Sequence, residues 1–292
     1  MHLNKGDTIG IVATSGPFNI EKFNAGIKII KSMGFNVFIP EAIYEKEGYL
    51  AGYDSIRLKT LTELFLNKDI NGIFCARGGY GVHRIIDSID YDLIKNNPKP
   101  LVGFSDVTAL LLAINQKSGL TTFHGPVVTS LNLLDSENIE RIFNTLSLKK
   151  GSEYTLSAFD PYVINPGSAE GTLIGGNLCI LSHLMGTNFE PDFDGKLLFL
   201  EDVNEPLYKI DRMLTHLTLT GAIKNIKGLV LGSFKECGDI ETFYRLIAEK
   251  FISHNIPILA GMGFGHGDIN EILPIGSYVK LNTCDGTLNI KL

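Results

Sequence analysis

Short apolar runs alternate with amphipathic segments through residues 1–125. The runs Thr8–Ala13 and Gly72–Ala76 have the length of buried strands, whereas 'SIRLKTLTELFLN' repeats Leu and Ile at the three-and-four spacing of a helix. Strands that alternate with helices in this way predict a parallel sheet with helices on both faces. Ligands of such sheets bind at the C-terminal ends of the strands, so candidate functional residues are expected there.

The pattern changes after residue 130. The segment 131–168 contains one predicted helix and then a loop-like stretch, 'AFDPYVINPGSAEG', with two prolines and two glycines. From residue 169 strands and helices return, and the chain ends in a predicted hairpin that turns at Asp285–Gly286. We therefore expect an N-terminal domain at 1–130, a linker at 131–168 and a C-terminal domain at 169–292.

Composition narrows the classes of function. The 292-residue chain is 44% hydrophobic and 20% charged, with a formal net charge of −6. Nucleic-acid binding needs clustered Lys and Arg, and because no basic stripe is present a nucleic-acid partner is not expected. No apolar run approaches the roughly 20 residues of a membrane span. The first apolar run is too short for a signal peptide and ends at Gly16–Pro17, so we expect a cytoplasmic protein without a membrane partner.

The cysteines give no sign of a structural or metal-binding role. Cys75, Cys179, Cys237 and Cys284 lie far apart and form no CxxC pair, which favours reduced thiols over a disulfide framework or a zinc site. HExxH and paired-carboxylate metal motifs are also missing from the sequence. The chain is therefore expected to use neither a metal nor another cofactor.

A serine stands at a tight corner of the predicted core, in 'KPLVGFSDVTALLLAI'. Leu101–Phe104 is a predicted strand and Val107–Ile114 a predicted helix, which leaves Ser105 between them. This is the position of a nucleophile elbow, where the hydroxyl is exposed above the sheet and the next backbone N–H can stabilise an oxyanion. The strict G-x-S-x-G pattern is not met, because Val107 replaces the final glycine. The alternative is that Ser105 only caps the helix.

A serine nucleophile needs a base. Of the seven histidines, His124 in 'FHGP' and His266 in 'GMGFGHGDIN' are the best candidates. His266 follows a predicted strand and is surrounded by glycines, which let a backbone approach a ligand closely. A solvent-facing loop histidine is the alternative.

The orienting acid of such a triad is expected between the serine and the histidine in the chain. Glu201 and Asp202 follow four apolar residues at the end of a predicted strand, and Glu205 precedes Pro206. Glu205 has a ready alternative role near a helix start. Glu201 is therefore the preferred acid, with a structural salt bridge as its alternative.

Two glycine-rich turns could present backbone N–H groups to an anion. The first, 'ARGGYGVHR', contains Arg77, Gly78 and Gly79, and the second, 'LIGGN', contains Gly176 and Asn177. Neither is a P-loop or a dinucleotide fingerprint. Tight strand-to-helix connections are the alternative, with Asn177 as a helix cap.

Seven motifs together resemble one family. In chain order they are 'GIVATSGP', 'ARGGYG', 'LVGFSD', 'FHGP', 'GTLIGGNL', 'LFLEDVNEPLYKIDR' and 'GFGHGD', and they span nearly the whole chain from Lys5. In this combination the sequence resembles the LD-carboxypeptidase family of serine peptidases. The resemblance implies an α/β protein with an N-terminal flavodoxin-like parallel-sheet domain, a smaller C-terminal α/β domain with mixed strands, and an active site at their interface. It also implies a cytoplasmic homodimer.

The resemblance also implies roles for residues. Ser105, Glu201 and His266 would form the catalytic triad, with the backbone N–H groups of Asp106 and Gly79 as the oxyanion hole. Arg77 is a candidate for the substrate carboxylate by its place beside the glycine turn, with a structural role as its alternative. Gly78, Gly176 and Asn177 are further candidate substrate contacts. Activity should rise as His266 loses its proton, near a pH of about 6.5 for an unperturbed imidazole.

The family's usual substrate is the murein tetrapeptide, a small peptide from which it removes terminal D-alanine after an L-centred diamino acid, in peptidoglycan recycling. A side branch resembles the microcin C immunity peptidases, which hydrolyse peptide- or aminoacyl-nucleotide conjugates and often clamp the base with Trp. This chain has no Trp, which favours the murein substrate. A non-catalytic two-lobed binding protein is a further alternative. A class I amidotransferase is disfavoured, because its elbow carries a cysteine.

Overall fold

The computed structural model describes residues 2–292 and divides them into two compact units. The first unit extends to Lys150 and also includes Glu271–Leu273, and the second comprises Gly151–Asn270 and Pro274–Leu292. The division therefore falls inside the segment predicted as a linker. Across residues 2–292, every helix falls short of the length and apolar character that a membrane span requires.

The first unit is built on a parallel sheet. Its strands lie in the order β5-β4-β3-β1-β2, with a late strand, Leu273–Ile275, beside β5. This is the strand order of flavodoxin-like folds, which confirms the predicted fold class. The strands are β1 (Thr8–Val12), β2 (Asn36–Phe38), β3 (Gly72–Cys75), β4 (Leu101–Gly103) and β5 (Thr122–His124), and the helices are α1 (Ile20–Ser32), α2 (Asp54–Leu66), α3 (Val82–Ile85), α4 (Tyr91–Asn96), α5 (Thr108–Ser118) and α6 (Ser136–Leu146).

Local sequence signals explain where these helices begin and end. The Asn19 side chain accepts a hydrogen bond from the Lys22 amide and so caps α1. Helix α5 is buried on almost all sides, as its apolar sequence predicts, and it ends at Gly119 in the left-handed conformation that glycine adopts without strain.

The segment Glu271–Leu273 packs within the first unit. The Glu271 carboxylate lies 2.5 Å from Nε of Arg141 in an ion pair. A Cβ atom on Gly125 would collide with the side chain of Ile272. The glycine of 'FHGP' therefore makes room for this returning segment.

The second unit contains a mixed sheet in the order β6-β14-β13-β8-β9-β10-β11-β7. The central strands β8 to β11 are parallel, and the flanking strands pair antiparallel. The strands of this sheet are β6 (Glu153–Ser157), β7 (Tyr162–Asn165), β8 (Ser168–Asn177), β9 (Leu197–Val203), β10 (Gly228–Lys235), β11 (Ile258–Ala260), β13 (Tyr278–Asn282) and β14 (Thr287–Lys291), and the helices are α7 (Leu178–Leu184), α8 (Leu207–Leu219) and α9 (Ile240–Phe251). The late strand beside β5, Leu273–Ile275, is β12.

The predicted C-terminal hairpin is confirmed, since β13 and β14 pair antiparallel on either side of Asp285–Gly286. The prediction of a loop at 'AFDPYVINPGSAEG' is wrong in part, because β7 and the start of β8 lie there. Strand β7 forms one edge of the sheet, and a proline directly before an edge strand removes no ladder hydrogen bond. The flanking prolines therefore led to the prediction of a loop where this edge strand lies.

Candidate active site

Ser105 has the backbone of a nucleophile elbow. It connects β4 to α5 through a single 3₁₀ turn, Ser105–Val107, and its φ is +63°. A non-glycine residue in this left-handed region costs about 1 kcal/mol or more, so the surrounding packing must hold it. The helix-cap alternative is wrong, because Phe104 and Val107 occupy the two N-cap positions and neither makes a side-chain cap.

The missing final glycine of the elbow motif has a local explanation. A Cβ atom on Gly103 would lie 2.7 Å from Cγ1 of Val107. Val107 therefore packs on the preceding glycine, and the turn stays tight with a valine where the strict motif has glycine.

The turn that contains Gly78 and Gly79 lies directly against the elbow. It follows β3, which is the parallel neighbour of β4, so both turns leave the same edge of the sheet. A Cβ atom on Gly78 would lie 2.9 Å from the Ser105 hydroxyl and 3.6 Å from the Asp106 amide nitrogen. Gly79 has a φ of +112°, which glycine alone adopts readily. The structure thus brings the predicted oxyanion residues and Ser105 together.

Arg77 begins this turn and is exposed. Its guanidinium donates a hydrogen bond from Nη1 to the Pro17 carbonyl oxygen. This contact holds the side chain at the surface of the turn, while other N–H groups of the guanidinium can still meet an anion.

In the second unit, Glu201 and His266 form a hydrogen-bonded pair. Glu201 lies in β9, is fully buried, and places Oε2 2.6 Å from Nδ1 of His266 and 3.2 Å from its backbone nitrogen. A carboxylate at Nδ1 requires that nitrogen to be the donor, which leaves Nε2 as the proton acceptor. The pair has the arrangement of the base and the orienting acid of a catalytic triad.

Glycine explains how the His266 loop reaches the buried carboxylate. Gly265 has a φ of +91°, and a Cβ atom there would lie 2.5 Å from Oε2 of Glu201. The Gly265 amide donates to the side-chain oxygen of buried Asn270 at 3.0 Å, which fixes the loop. Asn270 was not singled out in the sequence, where a single polar residue after a glycine loop is a weak signal.

The environment of His266 makes it a stronger base than an isolated imidazole. Burial lowers the pKa of His266, but the charge of Glu201, its hydrogen bond and the further charge of Asp202 outweigh burial and raise the pKa above 6.5. The expected midpoint of about 6.5 for an unperturbed imidazole therefore does not apply here.

Asp202 and Asn177 form a hydrogen-bonded group at the ends of β9 and β8. Asp202 accepts hydrogen bonds from the Asn177 amide at 3.0 Å and from the Cys179 backbone at 2.9 Å. Asn177 also accepts from the Ile180 amide and caps α7, so the helix-cap alternative is confirmed for it. Burial, followed by the Glu201 charge, raises the pKa of Asp202 to about 6. The neighbouring Gly176, predicted in a turn, lies instead near the end of β8, with a φ of +143°.

The other histidines considered as bases lie either in the core or on the surface. His124 is fully buried at the end of β5, with its ring edge-to-face against Phe104. His183 and His216 are exposed on α7 and α8. Within the described part of the chain, no three His, Cys, Asp or Glu side chains are grouped as metal ligands.

Comparisons with known proteins assign the family. A profile of the LD-carboxypeptidase N-terminal domain matches residues 9–125, and one of the C-terminal domain matches residues 170–281. The probable murein peptide carboxypeptidase of Bacillus subtilis is 36% identical over 99% of this chain and 93% of its own length.

Two solved structures are also similar. The muramoyltetrapeptide carboxypeptidase of Oxalobacter formigenes is 29% identical, with a TM-score of 0.85 over 98% of this chain and 99% of that one. An MccF-like protein of Bacillus anthracis is 29% identical, with a TM-score of 0.91 over 99% and 98%. Together with the elbow serine and the Glu–His pair, these matches show that the chain belongs to the LD-carboxypeptidase family of serine peptidases.

Proposed function

We propose that this enzyme removes the terminal D-alanine of murein tetrapeptides through a triad of Ser105, His266 and Glu201. The observation that carries the proposal is the 2.6 Å contact between Nδ1 of His266 and the buried Glu201 carboxylate. It is supported by the left-handed backbone of Ser105 and by the relatives named for muropeptide substrates.

The proposed reaction begins with attack of the Ser105 hydroxyl on the carbonyl between the diamino acid and D-alanine. Nε2 of His266 accepts the hydroxyl proton, while Glu201 holds the tautomer and stabilises the imidazolium. His266 then protonates the departing D-alanine amine. A water molecule, deprotonated by the same imidazole, hydrolyses the acyl-enzyme.

The negative charge that develops on the carbonyl oxygen needs donors fixed beforehand. The amides of Gly79 and Asp106 belong to two turns in contact with each other, and we assign them as the oxyanion hole. One such donor is worth about 2.7–4 kcal/mol of transition-state stabilisation.

A carboxypeptidase must also recognise a free carboxylate. We assign this role to Arg77, whose exposed guanidinium adjoins Gly78 in the glycine turn. Gly78, which has no side chain, would leave space for the substrate beside the Ser105 hydroxyl, and Gly176 is a further proposed substrate contact. Asn177, whose side-chain oxygen also caps α7, is a further proposed substrate contact.

The test is D-alanine release from L-Lys-D-Ala and diaminopimelyl-D-Ala tetrapeptides by the wild type and by Ser105→Ala. A loss of roughly 10³-fold or more in the variant would establish both the nucleophile and the reaction. Equal release by the two proteins would overturn the triad, and no release by either would overturn the substrate.

A second candidate is hydrolysis of aminoacyl-nucleotide conjugates. It is favoured by the structural similarity to the MccF-like protein of B. anthracis. An aminoacyl sulfamoyl adenosine incubated with the enzyme separates the candidates, because Ser105-dependent cleavage faster than D-alanine release would make the conjugate the principal substrate.

We further propose that the enzyme acts as a homodimer in the cytoplasm, in peptidoglycan recycling. Sedimentation equilibrium at micromolar concentration tests the dimer, and a chain that remains monomeric would contradict it. Fractionation of cells expressing the tagged chain tests the compartment.

A further inference from the structure

Two buried charged side chains beside the elbow have no part in the proposed reaction steps. Asp106 is 1% exposed and follows the candidate nucleophile, and Arg57, also 1% exposed, lies on α2. Burying a charge is unfavourable unless it is paired and hydrogen-bonded, so such groups need a structural explanation.

The Asp106 carboxylate joins the elbow to the glycine turn. Its Oδ2 accepts a hydrogen bond of 3.0 Å from the backbone amide of Val82, the residue directly after the turn. The Asp106 backbone belongs to the elbow, and Val82 begins α3. One side chain therefore links the two segments that carry the oxyanion donors.

Arg57 holds the same turn through its guanidinium. Its Nη1 donates to the Gly81 carbonyl at 2.9 Å and to the Thr14 carbonyl, and its Nη2 pairs with Asp54. A Cβ atom on Gly81 would lie 2.7 Å from Nη1 of Arg57, and Gly81 has a φ of +148°. Glycine at this position thus lets the guanidinium reach the backbone.

The contacts of Asp106 and Arg57 meet at one end of the turn, at neighbouring residues. Asp106 binds the Val82 amide and Arg57 binds the Gly81 carbonyl. The other end is held by the hydrogen bond from the Gly16 amide to the Gly78 carbonyl at 3.1 Å. The Gly79 amide lies between these anchors, so its direction depends on all three.

We propose that Asp106 and Arg57 are positioning residues, whose side chains fix the Gly79 amide relative to the Asp106 amide in the oxyanion hole. This proposal rests on the proposed function, because it assigns those amides a catalytic role. Neither side chain touches the substrate, and each acts through the turn.

The experiment compares D-alanine release by the wild type, Asp106→Ala and Asp106→Asn. All three keep the backbone N–H at position 106, so a change in kcat does not come from the loss of that donor. A displaced donor is expected to lower kcat of Asp106→Ala about 10²-fold with KM changed less than threefold. Asp106→Asn keeps an acceptor oxygen for the Val82 amide and should recover most of the loss.

Asp90 supplies a matched control. Its carboxylate accepts a hydrogen bond of 2.8 Å from the Leu93 amide at the start of α4, so Asp90→Ala removes the same kind of contact in the same unit. This control should retain wild-type kcat. Equal losses of kcat in Asp90→Ala and Asp106→Ala would mean that the effect is general stability, and would overturn the proposal.

The affinity for a mimic of the tetrahedral intermediate distinguishes a positioning role from a loss of stability. The affinity for a boronic-acid analogue of the substrate should fall in Asp106→Ala by the same factor as kcat, at a temperature where thermal melting shows the variant folded. Unchanged boronate affinity would overturn the proposal. If Asp106→Ala does not fold, Arg57→Lys keeps the charge, loses the two-carbonyl geometry, and should lower kcat in the same way.

Failure of the proposed function can be distinguished from failure of the positioning proposal. If the wild type releases no D-alanine, a fluorophosphonate probe measures how fast Ser105 is modified. Slower modification in Asp106→Ala than in Asp90→Ala would retain the positioning role for another substrate, and equal rates would remove it.

Discussion

The two units position their proposed catalytic groups in different ways. In the first, the elbow and the glycine turn are matters of backbone: Ser105 has a left-handed φ, and Gly78 leaves space beside the hydroxyl. In the second, the Glu201–His266 pair depends on side chains, since a fully buried carboxylate sets the tautomer and basicity of an imidazole. Backbone geometry, anchored by the buried Asp106 and Arg57 side chains, therefore positions the proposed nucleophile, whereas the charge of Glu201 acts directly on the proposed base. Substitutions in the two regions should fail in different ways.

The largest effect is expected from His266→Ala in the second unit. Without the base, Ser105 keeps its proton, and kcat should fall about 10⁶-fold, as for the loss of a triad histidine elsewhere. Release of D-alanine measures the loss. Exposed His216→Ala, on α8, is the control and should retain activity. Retained activity in His266→Ala would exclude His266 as the base.

Glu201→Gln should cost less, about 10⁴-fold in kcat, because the amide can hold the wrong tautomer while the base itself remains. The exposed pair partner Glu137, which contacts Arg141 at the surface, provides Glu137→Gln as a control. A loss of less than tenfold in Glu201→Gln would show that the charge of Glu201 is unimportant for catalysis.

Gly78→Ala tests the backbone half of the comparison. The added methyl would lie 2.9 Å from the Ser105 hydroxyl, so the turn must move and displace an oxyanion donor. We expect a loss of about 10²–10³-fold in kcat without a shift of the pH profile. Gly119→Ala, at the open C-terminal end of α5, controls for glycine replacement and should lower only the melting temperature. A pH shift in Gly78→Ala would contradict the division between geometry and charge.

The smallest expected effect is a shift in the pH dependence of activity. It should occur only for substitutions at the Glu201–His266 pair, and so it distinguishes this pair from the elbow and the glycine turn. Because the pKa of His266 is raised, kcat/KM should rise with pH through a midpoint above 6.5, as the imidazole becomes neutral. In Glu201→Gln the raising charge is lost and burial remains, so the midpoint should move to lower pH. Rate profiles from pH 5 to 9 measure both, and equal midpoints would contradict the assigned pair.

The same linkage has a consequence for stability. A raised pKa of His266 in the folded state means that its ion pair stabilises the fold fully below a pH of about 6.5 and less as pH rises through the folded value. Thermal melting of the wild type and of Glu201→Gln across this range gives the difference.

Sequence patterns singled out Ser105 and Glu201 because each stands where an apolar run ends, and His266 because glycines surround it after a predicted strand. They could not choose between an elbow and a helix cap for Ser105, since both place a serine between a strand and a helix. The φ of +63° decided it. For Asn177, in contrast, the structure shows a helix cap at the start of α7.

The helical periodicity of α2 places Arg57 on the buried face, but it does not identify the partners of the guanidinium. It lies on the same side of α2 as Leu61 and Leu64, at the spacing of a buried helical face, and all three are buried. An arginine on such a face is a signal for a buried ion pair or backbone contacts, but its partners at Thr14 and Gly81 are distant in sequence.

The sequence by itself determined the alternation of strands and helices, the parallel sheet, and the chemical types at the strand ends, because these depend on periodicity and local propensity. Only the tertiary structure showed the left-handed backbone of Ser105, the edge strand β7 between two prolines, the raised pKa of His266 and the contacts that anchor the glycine turn. Each of these depends on contacts between residues far apart in the chain, where burial and approach distance set the energy.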